Sequence, residues 1–432
     1  MLKREIRRWD LVLLMINGTI GAGIFGLPSK IFEQSGLYSV PAMLACAFIV
    51  FILVLSFAEV SSKFDKTGGP YLYTLKAFGQ VPGFVIGWLT LITRIATFAA
   101  LINLLITYLS YFYEDLTNPL HRNTAILIIV AYLFLVNFSG IKGSVKTNNA
   151  LAIGKLIPLL LFILVGFFFM EPVNFEHHQD LPEFSDFSSS VFILIFAFSG
   201  FESVIVNTGE MKNPSKNLPF SLFFSLGMVA IFYVLIQVVC IGTLPSLATS
   251  QKPLTDAAQM FIGPVGASVI TIGAVISILG TLNAIMLIGS RMPFALSEEN
   301  QFPKIFSKTH VRFHTPTFSL IFFGIITYLF AISGSFIYAA TISVICKIMI
   351  FMTVCASLIK LRKNTSKTDY FHLKYGIIIA ILGILISLLL LATVSLENFI
   401  DVGIAIAVGL LFYYLFYIIK KRQYSNKING KY

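Results

Sequence analysis

Apolar positions along this chain gather into long continuous runs, and charged positions sit between them. A membrane-crossing helix needs about 20 mostly apolar residues. Runs of that kind occupy 10–33, 38–62, 83–112, 123–141, 148–170, 188–210, 219–244, 264–297, 315–333, 336–360, 371–394 and 398–420. The runs are unbroken rather than alternating, so their β-branched and aromatic content does not argue for a barrel. The pattern predicts an all-α integral membrane protein with twelve transmembrane helices. No polar linker of useful length divides the chain, so 1–432 reads as one transmembrane domain.

Composition agrees. Of 432 residues, 57% are hydrophobic and 12% charged, against about 45–50% and about 25% in soluble domains. So little polar material cannot cover a soluble surface, and lipid is the solvent for much of it. The net charge of +11 would suit nucleic acid only if the basic residues shared a face. They cluster instead at the ends of apolar runs, which is a signature of topology, and no nucleic-acid partner is expected. With the N-terminus inside, 25 of the 31 Lys and Arg fall on the inner side. The outer loop 171–187 holds acids and no Lys or Arg. Both termini are therefore expected in the cytoplasm, with the protein in the cell membrane. The start (Lys3, Arg4, Arg7, Arg8, then apolar) has the look of a signal peptide, but the apolar region runs on through 18–28, so it reads as a first transmembrane segment. Cys46, Cys240, Cys346 and Cys355 fall inside apolar runs without metal or redox spacing and read as buried thiols. His177 and His178 read as solvated loop residues rather than a metal pair. No metal or cofactor is expected.

Two spans are interrupted. The first contains Asn17-Gly18-Thr19-Ile20-Gly21-Ala22-Gly23-Ile24-Phe25-Gly26-Leu27-Pro28. Glycine inside a helix costs up to ~1 kcal/mol against alanine, and four stand in nine residues. Gly21 to Gly26 also fits GxGxxG, but that pattern has meaning only after a strand. Two readings of the glycines remain: close packing through small residues, or an unwound stretch lining a cavity. Unwinding exposes N–H groups at the start of the second half-helix, whose positive dipole end suits a carboxylate. The sixth span carries Phe196-Ala197-Phe198-Ser199-Gly200-Phe201-Glu202-Ser203, with small residues and an acid in mid-span. Interrupted helices at matching positions of two halves point to a transporter's midplane site. Under the predicted topology, spans 1–5 and 6–10 have opposite orientation, as inverted repeats require.

These residues resemble the amino acid–polyamine–organocation superfamily of permeases. The resemblance covers nearly the whole chain. It rests on Gly18-Thr19-Ile20-Gly21-Ala22-Gly23-Ile24-Phe25, on Phe57-Ala58-Glu59-Val60 leading to Thr67-Gly68-Gly69-Pro70-Tyr71-Leu72-Tyr73, on Gly200-Phe201-Glu202 with Lys212-Asn213-Pro214, and on the stretch from Arg291 to Pro303. It implies the five-plus-five inverted repeat of the leucine transporter, with repeats at about 10–170 and 188–360 and two extra helices at about 371–420. It also implies an amino acid substrate, with its carboxylate on backbone N–H groups around Ala22, Gly23 and Ile24, next to Gly21. The ammonium would meet carbonyls around Thr19 and Ile20 and around Phe196, Ala197, Phe198 and Ser199. Phe196, or alternatively Phe198, aligns with a gating aromatic. Many relatives have Ser or Thr where this chain has Ala22, which removes a hydroxyl donor to the carboxylate and leaves the backbone contacts.

Charges inside a membrane cost roughly 2.5–3.5 kcal/mol on insertion scales, and each demands a reason. Lys155 lies about seven residues into span 5, roughly 10 Å along a helix. It either snorkels to the cytoplasmic surface or, as the resemblance implies for proton-coupled relatives, takes the place of a sodium ion against the unwound part of span 1. Burial makes reversible protonation of such an amine feasible. Arg94 lies about eleven residues into span 3, near mid-membrane, and the resemblance puts it on a pocket-facing position. Either it binds a side-chain carboxylate bidentately, or it pairs with Glu202 and leaves a roughly neutral pocket. The second reading is preferred, because an unpaired guanidinium there would be costly between transport cycles, and it leads to an expected neutral amino acid substrate; the first leads to an acidic one. Glu59 and Arg291 fit packing or snorkelling. Lys347, close to mid-span, has no assigned role.

A secondary transporter, by symport or exchange, is the reading these features support. A membrane enzyme is disfavoured because no nucleophile stands with a base at credible spacing, and a channel because no repeated pore segment or charged ring is apparent. A nutrient receptor on a transporter fold stays as the alternative of a different class. The expected partners are an amino acid substrate, protons and the lipid bilayer.

Overall fold

The computed structural model describes residues 6–64, 69–139, 145–176, 181–205, 211–299, 301–311, 313, 315–362 and 371–428. Lys3, Arg4, Thr67, Gly68, His177, His178 and the end of the apolar run at 188–210, from 206 on, lie outside the described residues. The described chain is helical. In order it forms α1 (Arg8–Thr19), α2 (Gly23–Gly26), α3 (Pro28–Ser35), α4 (Ser39–Ser62), α5 (Gly69–Phe78), α6 (Gln80–Leu109), α7 (Pro119–Phe138), α8 (Val145–Gly166) and α9 (Phe184–Phe198). It continues with α10 (Phe201–Ile205), α11 (Pro214–Thr243), α12 (Pro253–Ile262), α13 (Pro264–Glu298), α14 (Thr317–Ser333), α15 (Phe336–Arg362), α16 (Gly376–Ala392) and α17 (Leu396–Ile428). Several helices begin on proline, as at Pro28, Pro119, Pro253 and Pro264. A first-turn N–H has no intrahelical acceptor, so proline loses nothing there. Extended pairing among the described residues is confined to one isolated bridge between Ile6 and Met211, with the Lys212 N–H donating to the Ile6 carbonyl at 3.0 Å.

Nine helical stretches among the described residues are long and apolar enough to cross a membrane, and Phe184–Phe198, Thr317–Ser333 and Gly376–Ala392 are shorter apolar helices. The chain is thus a multi-pass membrane protein. The ten-residue helices α5 and α12 escape a search for long apolar runs because each is about half a membrane thick. The run expected at 188–210 is divided: its helix starts at Phe184 and stops at Phe198.

Burial sorts the helices into centre and rim. In the most apolar window of each, 78% of α6 and 72% of α15 is buried, against 17% of α7 and 17% of α17. On the rim, Phe48, Ile128 and Leu135 stand exposed, as lipid requires. Between helices, polar side chains meet in pairs, since an unpaired polar group in hydrocarbon is costly. The Thr97 and Ser343 hydroxyls lie 2.7 Å apart between α6 and α15, and the Asn137 amide donates to the Asn283 carbonyl oxygen at 2.9 Å between α7 and α13.

Candidate substrate site between two interrupted helices

Both interruptions form where the residues make continued helix difficult. α1 ends at Thr19, Ile20 leaves the helical region at φ −73° and ψ 88°, and the Gly21 N–H turns back to the Thr19 carbonyl at 2.9 Å. The helix resumes at Gly23 and runs on through α3. α9 ends at Phe198, Ser199 is extended, and Gly200 takes φ +129°. That left-handed backbone favours glycine, and contact adds a second reason. A Cβ on Gly200 would lie 2.2 Å from the Gly18 carbonyl oxygen, and one on Gly23 would lie 2.5 Å from the Ala197 Cα. The two broken stretches cross on these glycines. Tyr233 of α11 joins them from behind, its hydroxyl 3.1 Å from the Thr19 carbonyl oxygen and 3.0 Å from that of Ala197.

Every residue expected around a substrate is gathered here. Thr19, Ile20, Gly21, Ala22, Gly23 and Ile24 are buried at the first interruption, and Phe196, Ala197, Phe198 and Ser199 at the second. The first-turn N–H groups after the break, at Gly23 and Ile24, lack helical acceptors by position. The carbonyls opposite already have side-chain donors: Tyr233 for Thr19 and Ala197, the Ser199 hydroxyl for Phe196 at 2.9 Å, and Lys155 for Ile20. Each carbonyl oxygen keeps a second lone pair. Above the breaks, the Phe196 ring meets Phe336 edge-on at 5.9 Å. One helical turn from Phe196, a cavity of about 230 Å³ is lined by residues including Lys30, Gln34, Phe192, Ile337, Thr341 and Asn398.

Four ionisable side chains are buried around the crossing. Lys155 of α8 points at α1, its ammonium 3.0 Å from the Ile20 carbonyl oxygen and 3.3 Å from that of Asn17. Glu202 folds back on the break, its carboxylate accepting the Gly200 N–H at 2.7 Å. Arg94 is 8% exposed, and its Nε has no hydrogen-bond partner. It feels the charge of Glu202, but no ion pair joins them directly among the described residues. Lys347 of α15 is 4% exposed; it donates to the Ser199 hydroxyl and its ammonium sits 5.1 Å from the centre of the Phe196 ring. It also feels both Glu202 and Arg94. The sequence alone assigns Lys347 no role. A lysine near the middle of an apolar run was the available signal, but only the packing of α15 on α9 supplies its partners.

Residues 6–420 match the family model described as amino acid permease. The chain is similar to the branched-chain amino acid permease BcaP of Bacillus subtilis, 29% identical over 96% of this chain and 93% of the relative. It is 27% identical to the serine/threonine exchanger SteT of the same bacterium, over 98% of each chain. It is also 27% identical to the large neutral amino acids transporter small subunit 2 of Homo sapiens, over 77% of this chain and 65% of the relative.

Proposed function

The chain belongs to the amino acid permease family, and on that premise we propose that it carries amino acids across the cytoplasmic membrane by alternating access, coupled to protons. The observation that carries the reading is the crossing of two helix breaks at Gly18 and Gly200. A crossing of this kind presents free N–H groups to a carboxylate and carbonyls to an ammonium, a match for the two ends of a zwitterion. The twelve-span, five-plus-five arrangement with both termini inside goes with this reading. This reading counts the three shorter apolar helices as spans together with the nine long ones.

Lys155 supplies the coupling in this proposal. Its ammonium is held by the Ile20 and Asn17 carbonyls at the hinge of α1, where the family resemblance places a sodium ion in other members. Loss of the proton removes the charge from those contacts and loosens α1 from α8, so proton movement and hinge movement become one event. SteT is named as an exchanger and BcaP as a permease, and either cycle can be built on such a hinge.

Counterflow of radiolabelled amino acids in proteoliposomes tests the carrier. Wild-type protein is expected to concentrate label against unlabelled internal substrate, whereas a receptor would bind without turnover. With a pH gradient imposed, acid outside, the wild type should accumulate substrate at least tenfold more than Lys155→Met. Accumulation that persists unchanged in the variant overturns the role of Lys155, and a requirement for sodium overturns proton coupling.

A further inference from the structure

Three of the four buried ionisable groups converge on one side of the helix crossing, and their charges do not cancel. Lys347 of α15 and Glu202 of α10 hold the adjacent residues Ser199 and Gly200 of the second break, and Arg94 of α6 and Lys347 each lie one turn from the Thr97–Ser343 contact that joins their helices. Two cations thus face one carboxylate. Had Glu202 alone faced Arg94, the pocket would be neutral, and the expectation of a neutral substrate rested on that count. Lys347 alters it.

The contacts sharpen the argument. The Glu202 carboxylate spends one oxygen on the Gly200 N–H at 2.7 Å and makes no direct ion pair with either cation among the described residues. Lys347 is held by neutral groups, the Ser199 hydroxyl and the face of Phe196. Arg94 is more than nine-tenths buried and its Nε has no acceptor. A guanidinium is a planar fork that fits a carboxylate with two parallel hydrogen bonds, and leaving one buried without an acceptor is costly. A zwitterionic amino acid brings one charge of each sign and leaves the excess cation in place. An amino acid with a second carboxylate brings a net negative charge and completes the set.

We propose that Arg94 and Lys347 form a subsite for the side-chain carboxylate of an acidic amino acid, with the α-carboxylate and ammonium held at the two helix breaks. This rests on the reading of the chain as an amino acid carrier. In this proposal the substrate's side chain lies between α6 and α15, which the Thr97–Ser343 hydroxyl pair joins one turn from both cations.

The test is counterflow in proteoliposomes with labelled L-glutamate, L-aspartate, L-glutamine, L-leucine and L-serine, and with 2-oxoglutarate as a dicarboxylate lacking the ammonium. Wild-type protein is expected to move glutamate or aspartate at least tenfold faster than glutamine, leucine or serine, with 2-oxoglutarate a poor competitor. Arg94→Gln and Lys347→Met should each lower acidic counterflow at least tenfold and shift the ratio of glutamine to glutamate upward. Lys347→Arg, which keeps the charge and guards against loss of folding, should retain the glutamate preference. If wild-type protein exchanges leucine, serine or glutamine while glutamate and aspartate neither move nor compete, the subsite is overturned and the carrier stands. A glutamate preference that survives both neutralising variants also overturns it. Counterflow of no amino acid at all overturns the carrier reading, and the subsite with it.

Discussion

Tyr233 has no charge, yet both helix breaks depend on its hydroxyl, which is shared between the Thr19 and Ala197 carbonyls at 3.1 and 3.0 Å. Its ring stays packed on Phe198 at 5.1 Å, so Tyr233→Phe removes the donor and leaves the packing. Leaving a buried acceptor unsatisfied costs about 1–3 kcal/mol. The variant should melt at a lower temperature in detergent and turn over more slowly in counterflow. Unchanged melting and unchanged turnover would show that the two carbonyls find other donors. The breaks themselves are legible from local residues: the four glycines of the first, and the Ser199-Gly200 pair ahead of Glu202 in the second. The partners of Lys347 are not legible, because Ser199 lies 148 residues away and meets it only through packing.

At the scale of elements, the ends of three helices are fixed to one another by a buried fork. Glu59 of α4 is fully buried and accepts from Arg362 at the end of α15 through two bonds of 2.7 Å each. The Leu373 N–H, just before α16, donates to the same carboxylate at 3.0 Å. One carboxylate therefore ties three elements. Breaking a buried pair from one side strands a charge and costs about 3–5 kcal/mol. Glu59→Ala and Arg362→Ala should each lower the melting temperature strongly, while the double variant should lose much less than their sum. Additive losses would mean that the fork contributes little as a pair. The sequence alone assigned Glu59 to packing or snorkelling; it offered no means of finding Arg362, 303 residues away.

At the scale of the whole molecule, the distribution of charge sets orientation. The acid-rich segment that contains Glu176 and the basic segment that contains Lys308 fall on opposite sides of the proposed twelve-span topology. Both side chains are exposed, so a single cysteine at either place is available to reagents. Glu176→Cys should react with a membrane-impermeant maleimide in intact cells, and Lys308→Cys only after permeabilisation. The reverse labelling would invert the topology and place both termini outside. Helix edges also follow from this scale. The long apolar runs are dictated by the thickness of the hydrocarbon layer, which is why α4, α6, α13 and α15 lie within a few residues of the runs read from sequence. The shorter helices α5 and α12 obey no such length rule and needed the fold to appear.

The sequence by itself determined that this protein lives in lipid, that its runs are helices, and where two of them break. Those properties depend on solvent, length and backbone preference, which neighbouring residues carry locally. Which helices stand at the centre, and which partners the buried charges meet, was decided by tertiary packing. α6, α10 and α15 are far apart in sequence, and only their packing brings Lys347 to Ser199, beside the Gly200 that Glu202 holds, and Thr97, one turn from Arg94, to Ser343. Electrostatics in a low-dielectric interior depends on distance in space, and separation along the chain does not contain that distance.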